Sequence, residues 1–371
     1  MHLTVNQTDI ARATPQLERA TSPKSPSPAL AAVLLQAADG TLTLSATDQE
    51  ISVKMSIPAV ITEPGKALLP ARYFNALVQS APTGTEITIR SGPDAQAAEI
   101  TWGHSQYTLH GYNPSDFPDL PALTEDGSFS LTQSGLRHLI AHTSFAMARE
   151  ENPPVLTGGY LHAAGTDIAL AATDGYRVAF ASLPAPGMPD IPPMIVPGRA
   201  LAELARLLDD TDTPVTITAR SNLLFVRGDG FEFSTRLIEG SFPNYRQVLP
   251  KEIVSRVVVN KDDLLLACNR ANALQAQEQV PIIRFAAEPD GLLAQFSTSE
   301  DHRGSEKIAA SLEGNSMQLA FNARYLADAL RQIDTSEAEL EFSGPITACR
   351  IRGHNQENFY VVMLPLRIQS G

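Results

Sequence analysis

The stretch SATDQEISVKMSI at 45–57 returns in altered form as AATDGYRVAFASL at 171–183. Each contains Ala-Thr-Asp, then two further residues, then a run in which apolar and other side chains alternate. Such alternation predicts a half-buried β-strand, and the polar residues before it predict a turn. The two triplets begin at Ala46 and Ala172, which are 126 residues apart in a chain of 371. The same strand-turn-strand unit is therefore present at least twice.

A third copy is expected one interval further along the chain, near residue 298. QFSTSEDHRGSEKIAASL at 295–312 has Thr298 in the expected place, although the Asp is missing. Two patterns that lead from a strand into a helix recur in the same order, at 3–13, 129–139 and 257–267, and at 68–79, 195–206 and 319–330. Recurrence at a nearly fixed period predicts a threefold internal repeat.

Each repeat has the pattern strand, helix, several strands, helix, and more strands, which predicts an α+β domain. Proline-rich joins separate the repeats, FPDLPALTEDG at 117–127 and FPNYRQVLPKE at 242–252. We therefore expect three domains of one fold, at 1–123, 127–250 and 254–371.

Charge and composition limit the function classes. The chain has 28 Lys and Arg against 41 Asp and Glu, a formal net charge of −13. That balance argues against a protein that binds DNA over its whole surface, so any DNA contact has to come from locally placed cations. Cys268 and Cys349 have no CxxC spacing, which predicts reduced thiols. No segment resembles a membrane helix or a signal peptide, so we expect a cytoplasmic protein without a membrane partner.

The helices of the second pattern carry regularly placed arginines. Arg199 and Arg206 are seven residues apart, as are Arg324 and Arg331, so each pair shares a helix face. Apolar residues occupy another face, namely Leu201, Leu204 and Leu208 in one helix and Leu326, Leu330 and Ile333 in the other. The first repeat has Arg72 and Gln79 at these positions, and its leading helix has Arg12 and Arg19 opposite Ile10, Ala13 and Leu17. Pro15 is expected to kink or shorten that leading helix.

Helix geometry then suggests an assembly. Six helices packed about 9 Å apart in a closed circle leave almost no central hole. Twelve helices from two chains leave a bore of roughly 25 Å, enough for a nucleic-acid duplex. A head-to-tail dimer with cationic helices inside and sheets outside is the smallest closed ring that fits.

Three motifs in this order, ATDGYRVAF at 172–180, EGSFPNYRQVLP at 239–250 and YVVMLPLR at 360–367, resemble the bacterial DNA polymerase III beta subunit family, the sliding clamps. The resemblance covers essentially the whole chain. It implies a DNA-clamp fold with three repeated domains per chain, and a ring-shaped homodimer that encircles double-stranded DNA without sequence preference. It also implies a non-catalytic role, in which the ring tethers the replicative polymerase for processivity.

The resemblance further implies a groove that binds a short peptide containing leucine and phenylalanine, carried by the polymerase, the clamp loader and repair proteins. The matching residues are Leu156, Thr173, Gly175, Tyr176, Arg177, Val178, Pro243, Arg246, Val248, Val362, Met363, Pro365, Leu366 and Arg367. Apolar walls suit the peptide's anchor side chains, and we expect Arg177 and Arg246 to form a polar rim.

For DNA, the resemblance implies contacts from Lys24, Arg149 and Arg199, and the repeat positions add Arg72, Arg206, Arg324 and Arg331. Contacts in a clamp that slides should be few and directed at phosphates. A Debye length of about 8 Å lets a basic inner wall act locally despite an acidic exterior.

Two other functions remain open from the residues alone. Asp48 and Asp174 occupy equivalent positions and could be paired catalytic carboxylates. They belong to separate repeats, however, and an Asp after Thr in a turn more often accepts local backbone hydrogen bonds. Catalytic and metal-binding motifs are missing from the sequence, so we predict no catalytic residue, no metal site and no cofactor. A repeat-built protein scaffold that ignores DNA is the second alternative; in it, Arg199 and Arg324 would not affect DNA retention.

Overall fold

The computed structural model describes residues 1–92, 96–122, 127–150, 152–185, 188–189, 191–250, 252–299, 302–344 and 347–366. Contacts divide the chain into two compact units. The first comprises Met1–Arg137, Met188–Ile191 and Arg199–Leu237, and the second comprises His138–Gly187, Pro192–Gly198 and Ile238–Gly371. Among the helices described, none is long and apolar enough to span a bilayer.

The first third of the chain contains two α-helices and nine strands. In chain order they are β1 (His2–Asn6), α1 (Gln7–Arg19), β2 (Ala32–Ala38), β3 (Thr41–Thr47), β4 (Ile51–Pro58), β5 (Val60–Glu63), β6 (Gly65–Pro70), α2 (Ala71–Ser80), β7 (Glu86–Ser91), β8 (Ala97–Trp102) and β9 (Ser105–His110). Short 3₁₀ turns lie at Pro28–Ala31 and Pro114–Asp116.

Among the described residues, the middle third repeats this order with one strand fewer between its two helices. It contains β10 (Phe129–Thr132), α3 (Gln133–Ser144), β11 (Gly158–Ala164), β12 (Asp167–Thr173), β13 (Arg177–Pro184), β14 (Met194–Pro197), α4 (Gly198–Leu207), β15 (Pro214–Arg220), β16 (Leu223–Gly228) and β17 (Phe231–Arg236). Its 3₁₀ turns are Pro154–Thr157 and Tyr245–Val248.

The last third repeats the order again. It contains β18 (Ser255–Asn260), α5 (Lys261–Leu274), β19 (Ile282–Glu288), β20 (Gly291–Ser297), β21 (Arg303–Ile308), β22 (Ala310–Gly314), β23 (Met317–Asn322), α6 (Ala323–Leu330), β24 (Glu337–Phe342), β25 (Cys349–Gly353) and β26 (Phe359–Met363).

The threefold repeat is confirmed. The first helices of the thirds begin at Gln7, Gln133 and Lys261, and the second helices begin at Ala71, Gly198 and Ala323. The hairpins β3–β4, β12–β13 and β20–β21 are the three copies of the opening strand-turn-strand unit. The third hairpin lacks the Asp but keeps the Thr, whose hydroxyl at Thr298 accepts a hydrogen bond from the His302 amide.

Each unit has one large and one small antiparallel sheet. The first unit has an eight-stranded sheet, β10-β15-β16-β17-β4-β3-β2-β6, and a five-stranded sheet, β5-β1-β7-β8-β9. The second has a nine-stranded sheet, β14-β11-β12-β13-β26-β25-β24-β18-β22, and a four-stranded sheet, β21-β20-β19-β23. Within each unit a strand pair joins successive repeats, β4 with β17 and β13 with β26.

The helices bury the faces that the sequence predicted. Ile10, Ala13 and Leu17 are fully buried, and the leucine stripes of α4 and α6 are buried as well. Asparagine caps α1, α5 and α6, since the side chains of Asn6, Asn260 and Asn322 accept first-turn amides that lack helical partners.

Of the two expected effects of Pro15, a kink or a shortening, the shortening does not occur, since α1 continues to Arg19. A proline in a helix leaves the carbonyl four residues earlier without its amide donor, here the carbonyl of Ala11. The Gln79 side chain from α2 supplies the missing donor, with 2.7 Å between its Nε2 and the Ala11 oxygen. A side chain of the neighbouring helix α2 thus replaces the backbone donor that Pro15 lacks.

Candidate functional site

A pocket of about 170 Å³ lies in the second unit, beside the strand pair β13–β26. The turn before β13, the 3₁₀ turn Tyr245–Val248 and the end of β26 supply most of its wall. Its lining residues are Leu156, Thr173, Gly175, Tyr176, Arg177, Val178, Pro243, Asn244, Tyr245, Val248, Ala348, Val362 and Leu364.

The floor of the pocket is apolar and rigid. Val178, Tyr245 and Val362 are buried and belong to one apolar cluster. Two stacked aromatic pairs are built from residues that pack against this cluster, Tyr160 with Phe242 and Phe180 with Tyr360. A close-packed floor of this kind keeps its shape before anything binds.

Large apolar side chains remain exposed around the pocket. Tyr176 is 67 % exposed, Leu364 48 % and Val248 43 %. Exposed apolar groups clustered at a concave site mark a binding surface, because water contact there is unfavourable and a ligand relieves it. The arrangement suits one or two apolar side chains of a short peptide.

Local hydrogen bonds shape the turn that presents Tyr176. Asp174 Oδ1 accepts from the amides of Tyr176 and Arg177, at 3.0 and 3.1 Å. Thr173 Oγ1 accepts from the Gly175 amide and donates to the Arg177 carbonyl. Gly175 has φ +90°, a conformation that favours glycine. The ATDGYR sequence therefore encodes the turn.

Arg177 is a fixed part of the wall. Its guanidinium lies 3.1 Å from Asp174 Oδ2 and 3.0 Å from Asp328 Oδ2, and it donates to the Phe145 carbonyl at 2.5 Å. It also stacks 4.0 Å above the centre of the Tyr325 ring. The side chain is only 8 % exposed, so the prediction that Arg177 stands on a polar rim is wrong. Its two carboxylate partners hold it inside.

The buried Tyr245 is hydrogen-bonded to His162. Its hydroxyl lies 2.9 Å from His162 Nε2, and the other ring nitrogen lies 2.8 Å from the Ala163 carbonyl. Burial lowers the pKa of His162, and the charge of Arg246 lowers it further, while the hydrogen bond to Ala163 opposes the shift. A neutral His162 with a proton on Nδ1 accepts a hydrogen bond from the Tyr245 hydroxyl through Nε2. This bond fixes the orientation of the Tyr245 ring.

The structure brings nine of the predicted groove residues to the pocket. They are Leu156, Thr173, Gly175, Tyr176, Arg177, Val178, Pro243, Val248 and Val362. Arg246 is exposed nearby, with its guanidinium 6.0 Å from the Tyr245 ring centre.

Three further predicted residues do not line the pocket, and a fourth lies outside the residues that the structure describes. Met363 is buried, because neighbouring strand residues face opposite sides and Val362 takes the pocket side. Pro365 and Leu366 are half-buried and do not line the pocket, and the Leu366 amide donates to the Ala320 carbonyl at 2.7 Å. Arg367 lies outside the described residues.

Sequence reasoning missed four lining residues, Asn244, Tyr245, Ala348 and Leu364. Three of them lie inside quoted motifs, between residues that were chosen. Ala348 had no signal in the sequence, because the fold alone brings it to the pocket.

The predicted DNA-binding residues of the first unit are Lys24, Arg72, Arg199 and Arg206, and all four are exposed. Arg199 forms an ion pair with Asp48 and donates to the Arg19 carbonyl at 3.2 Å. Arg206 pairs with Glu203 at 2.7 Å. Acidic partners therefore offset part of the positive charge on α4.

The predicted DNA-binding residues of the second unit are Arg149, Arg324 and Arg331, also exposed. Arg149 and Arg324 share the wall of one open cavity of about 630 Å³. Arg331 pairs with Asp328 at 2.9 Å and bonds Asn269 at 3.1 Å. Among the described residues no ion-pair partner contacts Arg324, so its charge is available.

The catalytic alternative requires Asp48 and Asp174 to have free carboxylate oxygens, and both side chains are already bonded. Asp48 Oδ1 accepts from the amides of Glu50 and Ile51, and its other oxygen meets Arg199. Asp174 is engaged in the same way by its turn and by Arg177. Carboxylates saturated by such donors have no lone pair placed for acid-base work.

Comparison with solved structures defines the class. A DnaN sliding clamp of Pseudomonas aeruginosa, determined bound to griselimycin, superposes with TM-score 0.94 at 29 % identity over 99 % of this chain and 100 % of that one. The DNA polymerase sliding clamp of Bacillus subtilis gives 0.92 at 25 % identity over the whole of both chains. The fold is that of a sliding clamp, and the prediction of an α+β clamp of three repeated domains is confirmed.

Sequence comparison gives the family. Models of the DNA polymerase III beta subunit match in chain order, the N-terminal domain at 1–121, the central domain at 130–244 and the C-terminal domain at 246–367. The chain belongs to the DNA polymerase III beta subunit family. The beta sliding clamp of Staphylococcus epidermidis is 29 % identical over 360 residues, covering 94 % of each chain. Members are non-catalytic processivity factors, which confirms that this chain is not an enzyme.

Proposed function

We propose that this sliding clamp works as a head-to-tail homodimeric ring that encircles double-stranded DNA and tethers the replicative polymerase to it. The clamp loader and repair proteins dock on the same ring. The chain is made of three repeats, so two chains supply six similar domains, the number that the helix-packing argument requires for a duplex-sized bore. The three domains take the boundaries 1–123, 127–250 and 254–371.

Partners bind at the pocket beside β13 and β26. The observation that carries this assignment is a preformed apolar floor surrounded by exposed Tyr176, Val248 and Leu364. A peptide with leucine and phenylalanine buries its anchors on Val178 and Val362, while Arg246, Pro365 and Leu366 act outside the floor, and Arg367 also contributes to peptide binding. Arg177 and Met363 act by holding the wall in place.

DNA is held by exposed cations that contact phosphates. They are Lys24, Arg72, Arg149, Arg199, Arg206, Arg324 and Arg331. Phosphate contacts carry no direct sequence information, so the clamp slides. The net charge of −13 repels DNA from the rest of the surface, and the protein works in the cytoplasm.

Retention on circular and linear DNA tests the topological link. The clamp is loaded onto nicked circles by its clamp loader and separated by gel filtration, and half of the sample is linearised. Clamp that stays on circles and leaves linear DNA from its free ends supports the proposal. Equal retention on both substrates, or a protein that is monomeric by light scattering, contradicts it.

A further inference from the structure

Two histidines and a carboxylate converge in the second unit, away from the pocket wall. His138 and His142 are four residues apart on α3, and Asp334 follows α6. One ligand atom from each of the three lies within 4.8 Å of the others. We propose that His138, His142 and Asp334 bind a zinc ion.

One nitrogen of each histidine has no hydrogen-bond partner among the described residues. Nε2 of His138 and Nε2 of His142 are both buried and accept no hydrogen bond. His142 is only 7 % exposed, and its ring packs edge-on against Phe359 at 4.9 Å. A buried polar atom without a partner is costly and needs an explanation, and a metal ion is one.

The protonation pattern of His142 suits a ligand. Its Nδ1 lies 2.9 Å from the His138 carbonyl, which can only accept, so Nδ1 carries the proton. In this tautomer the ring has its lone pair on Nε2, the atom that lies 3.5 Å from Asp334 Oδ2. Metal-binding histidines commonly donate their other N–H to a carbonyl in this way, which fixes the ring orientation.

The spacing of the three groups suits zinc. Tetrahedral zinc with ligand bonds of about 2.0–2.2 Å keeps its ligand atoms roughly 3.4 Å apart. The 3.5 Å separation of His142 and Asp334 already meets this value. The two rings lie 3.7 Å apart between centroids, and the ligand atoms all lie within 4.8 Å of one another, so zinc binding requires the longer separations to shorten. Two imidazoles and one carboxylate leave one position for water.

The site is open to solvent on one side. The Asp334 side chain is 63 % exposed, which gives the ion a path from solvent. The bound ion would tie α3 to the end of α6, the helix whose Asp328 holds Arg177.

Zinc titration of the full-length protein tests the site. The protein is treated with a chelator, dialysed, and titrated with Zn²⁺ in competition with a chromophoric chelator, and separately with Co²⁺ to read visible absorption. We expect one equivalent to bind and the Co²⁺ spectrum to show nitrogen ligation. His138→Gln and Asp334→Asn each remove one ligand and should weaken zinc binding by about 100-fold or more, since loss of even an outer-shell contact costs 10–100-fold.

The matched control is His104→Gln, an exposed histidine in the β8–β9 turn, which should bind zinc like the wild type. Circular dichroism in chelator checks that each variant is folded; if His138→Gln is not, the exposed Asp334→Asn decides alone. Failure of the wild type to bind one equivalent, or equal affinity in wild type and both ligand variants, overturns the proposal.

Discussion

The Gln79 side chain donates to the carbonyl oxygen of Ala11, the acceptor that Pro15 leaves without its helical donor. Replacing Gln79 by Ala should destabilise the first unit by about 1 kcal/mol, the typical worth of one hydrogen bond. The measurement is the shift in urea unfolding midpoint, read by circular dichroism.

Pro15→Ala supplies the control for that prediction. Alanine restores the backbone donor to Ala11, so Gln79→Ala should cost much less in that background. The coupling energy from the double-mutant cycle should be about 1 kcal/mol. An equal loss in both backgrounds would show that Gln79 does not compensate for the proline.

Arg177 and Arg246 should differ sharply when changed to Ala. Arg177→Ala removes the cation that pairs with Asp174, which is only 12 % exposed, and leaves Asp328 with Arg331 alone, so we expect a loss of about 3–5 kcal/mol and a distorted pocket. Arg246→Ala removes an exposed cation and should change the free energy of unfolding by less than about 0.5 kcal/mol. Thermal unfolding of both variants checks this, and similar shifts would contradict the rigid-wall role.

Peptide affinity should depend on the exposed apolar residues. Leu364→Asp places a charge beside the apolar floor and should weaken binding of a fluorescent peptide containing Leu and Phe by about 10-fold or more, because a desolvated charge there has no partner. Fluorescence anisotropy measures the affinity. Val60→Asp is the matched control, since Val60 is 72 % exposed on β5 in the first unit. Equal affinities in the two variants would place the peptide elsewhere.

Among the DNA-binding candidates, Arg324 should contribute more than Arg199. Arg199 already pairs with Asp48, whereas Arg324 is exposed without such a partner among the described residues. Arg324→Ala should reduce the slope of log affinity against log salt by about 1, as loss of one phosphate contact does. Anisotropy of a short labelled duplex at several salt concentrations gives the slope.

Asp48→Asn tests whether the ion pair with Asp48 keeps Arg199 from contacting DNA. The amide keeps the acceptor for the turn but releases Arg199, so DNA affinity should rise. Glu63→Gln changes the charge equally at an exposed site on β5 and should have a smaller effect. No gain for Asp48→Asn over Glu63→Gln would show that the ion pair does not restrain Arg199.

Stability should fall when the medium is made acidic, in part through His162. Its folded pKa lies below the ordinary 6.5, so the unfolded chain binds a proton more readily. The contribution of His162 to the free energy of unfolding is complete above pH 6.5, and it is lost as the pH falls from there towards the pKa of His162 in the folded protein. His138 acts in the same direction. Urea unfolding of wild type and His162→Gln between pH 7.5 and 5.5 should show a steeper loss in the wild type, and parallel curves would contradict the prediction.

Much of the fold was predictable because local patterns encode it. LLFVRG at 223–228 and CRIRG at 349–353 coincide with β16 and β25, since short runs rich in apolar residues and bounded by turn residues predict strands. The ATD turns were also predictable, because one carboxylate oxygen of Asp48 and one of Asp174 accept backbone amides two and three residues further along the chain.

The remaining features depend on contacts between distant parts of the chain. Gln79 and Ala11 are 68 residues apart, and nothing local to Pro15 reveals the compensation. The burial of Arg177 depends on Asp328, 151 residues away, so the sequence showed an arginine without showing which way it points. His138 and His142 have a chelating spacing, but Asp334 reaches them only through folding.

The seams β4–β17 and β13–β26 are made by main-chain hydrogen bonds. Any residue except proline can form such bonds, so the hydrogen-bond ladder at each joint does not itself depend on side-chain identity. Side chains matter at the β13–β26 joint only through what they pack against, as Val178 and Val362 do in the pocket floor. A main-chain ladder of this kind is compatible with wide exchange of side chains, and chains sharing 25–29 % of their residues with this one superpose on it with TM-scores of 0.92 and 0.94.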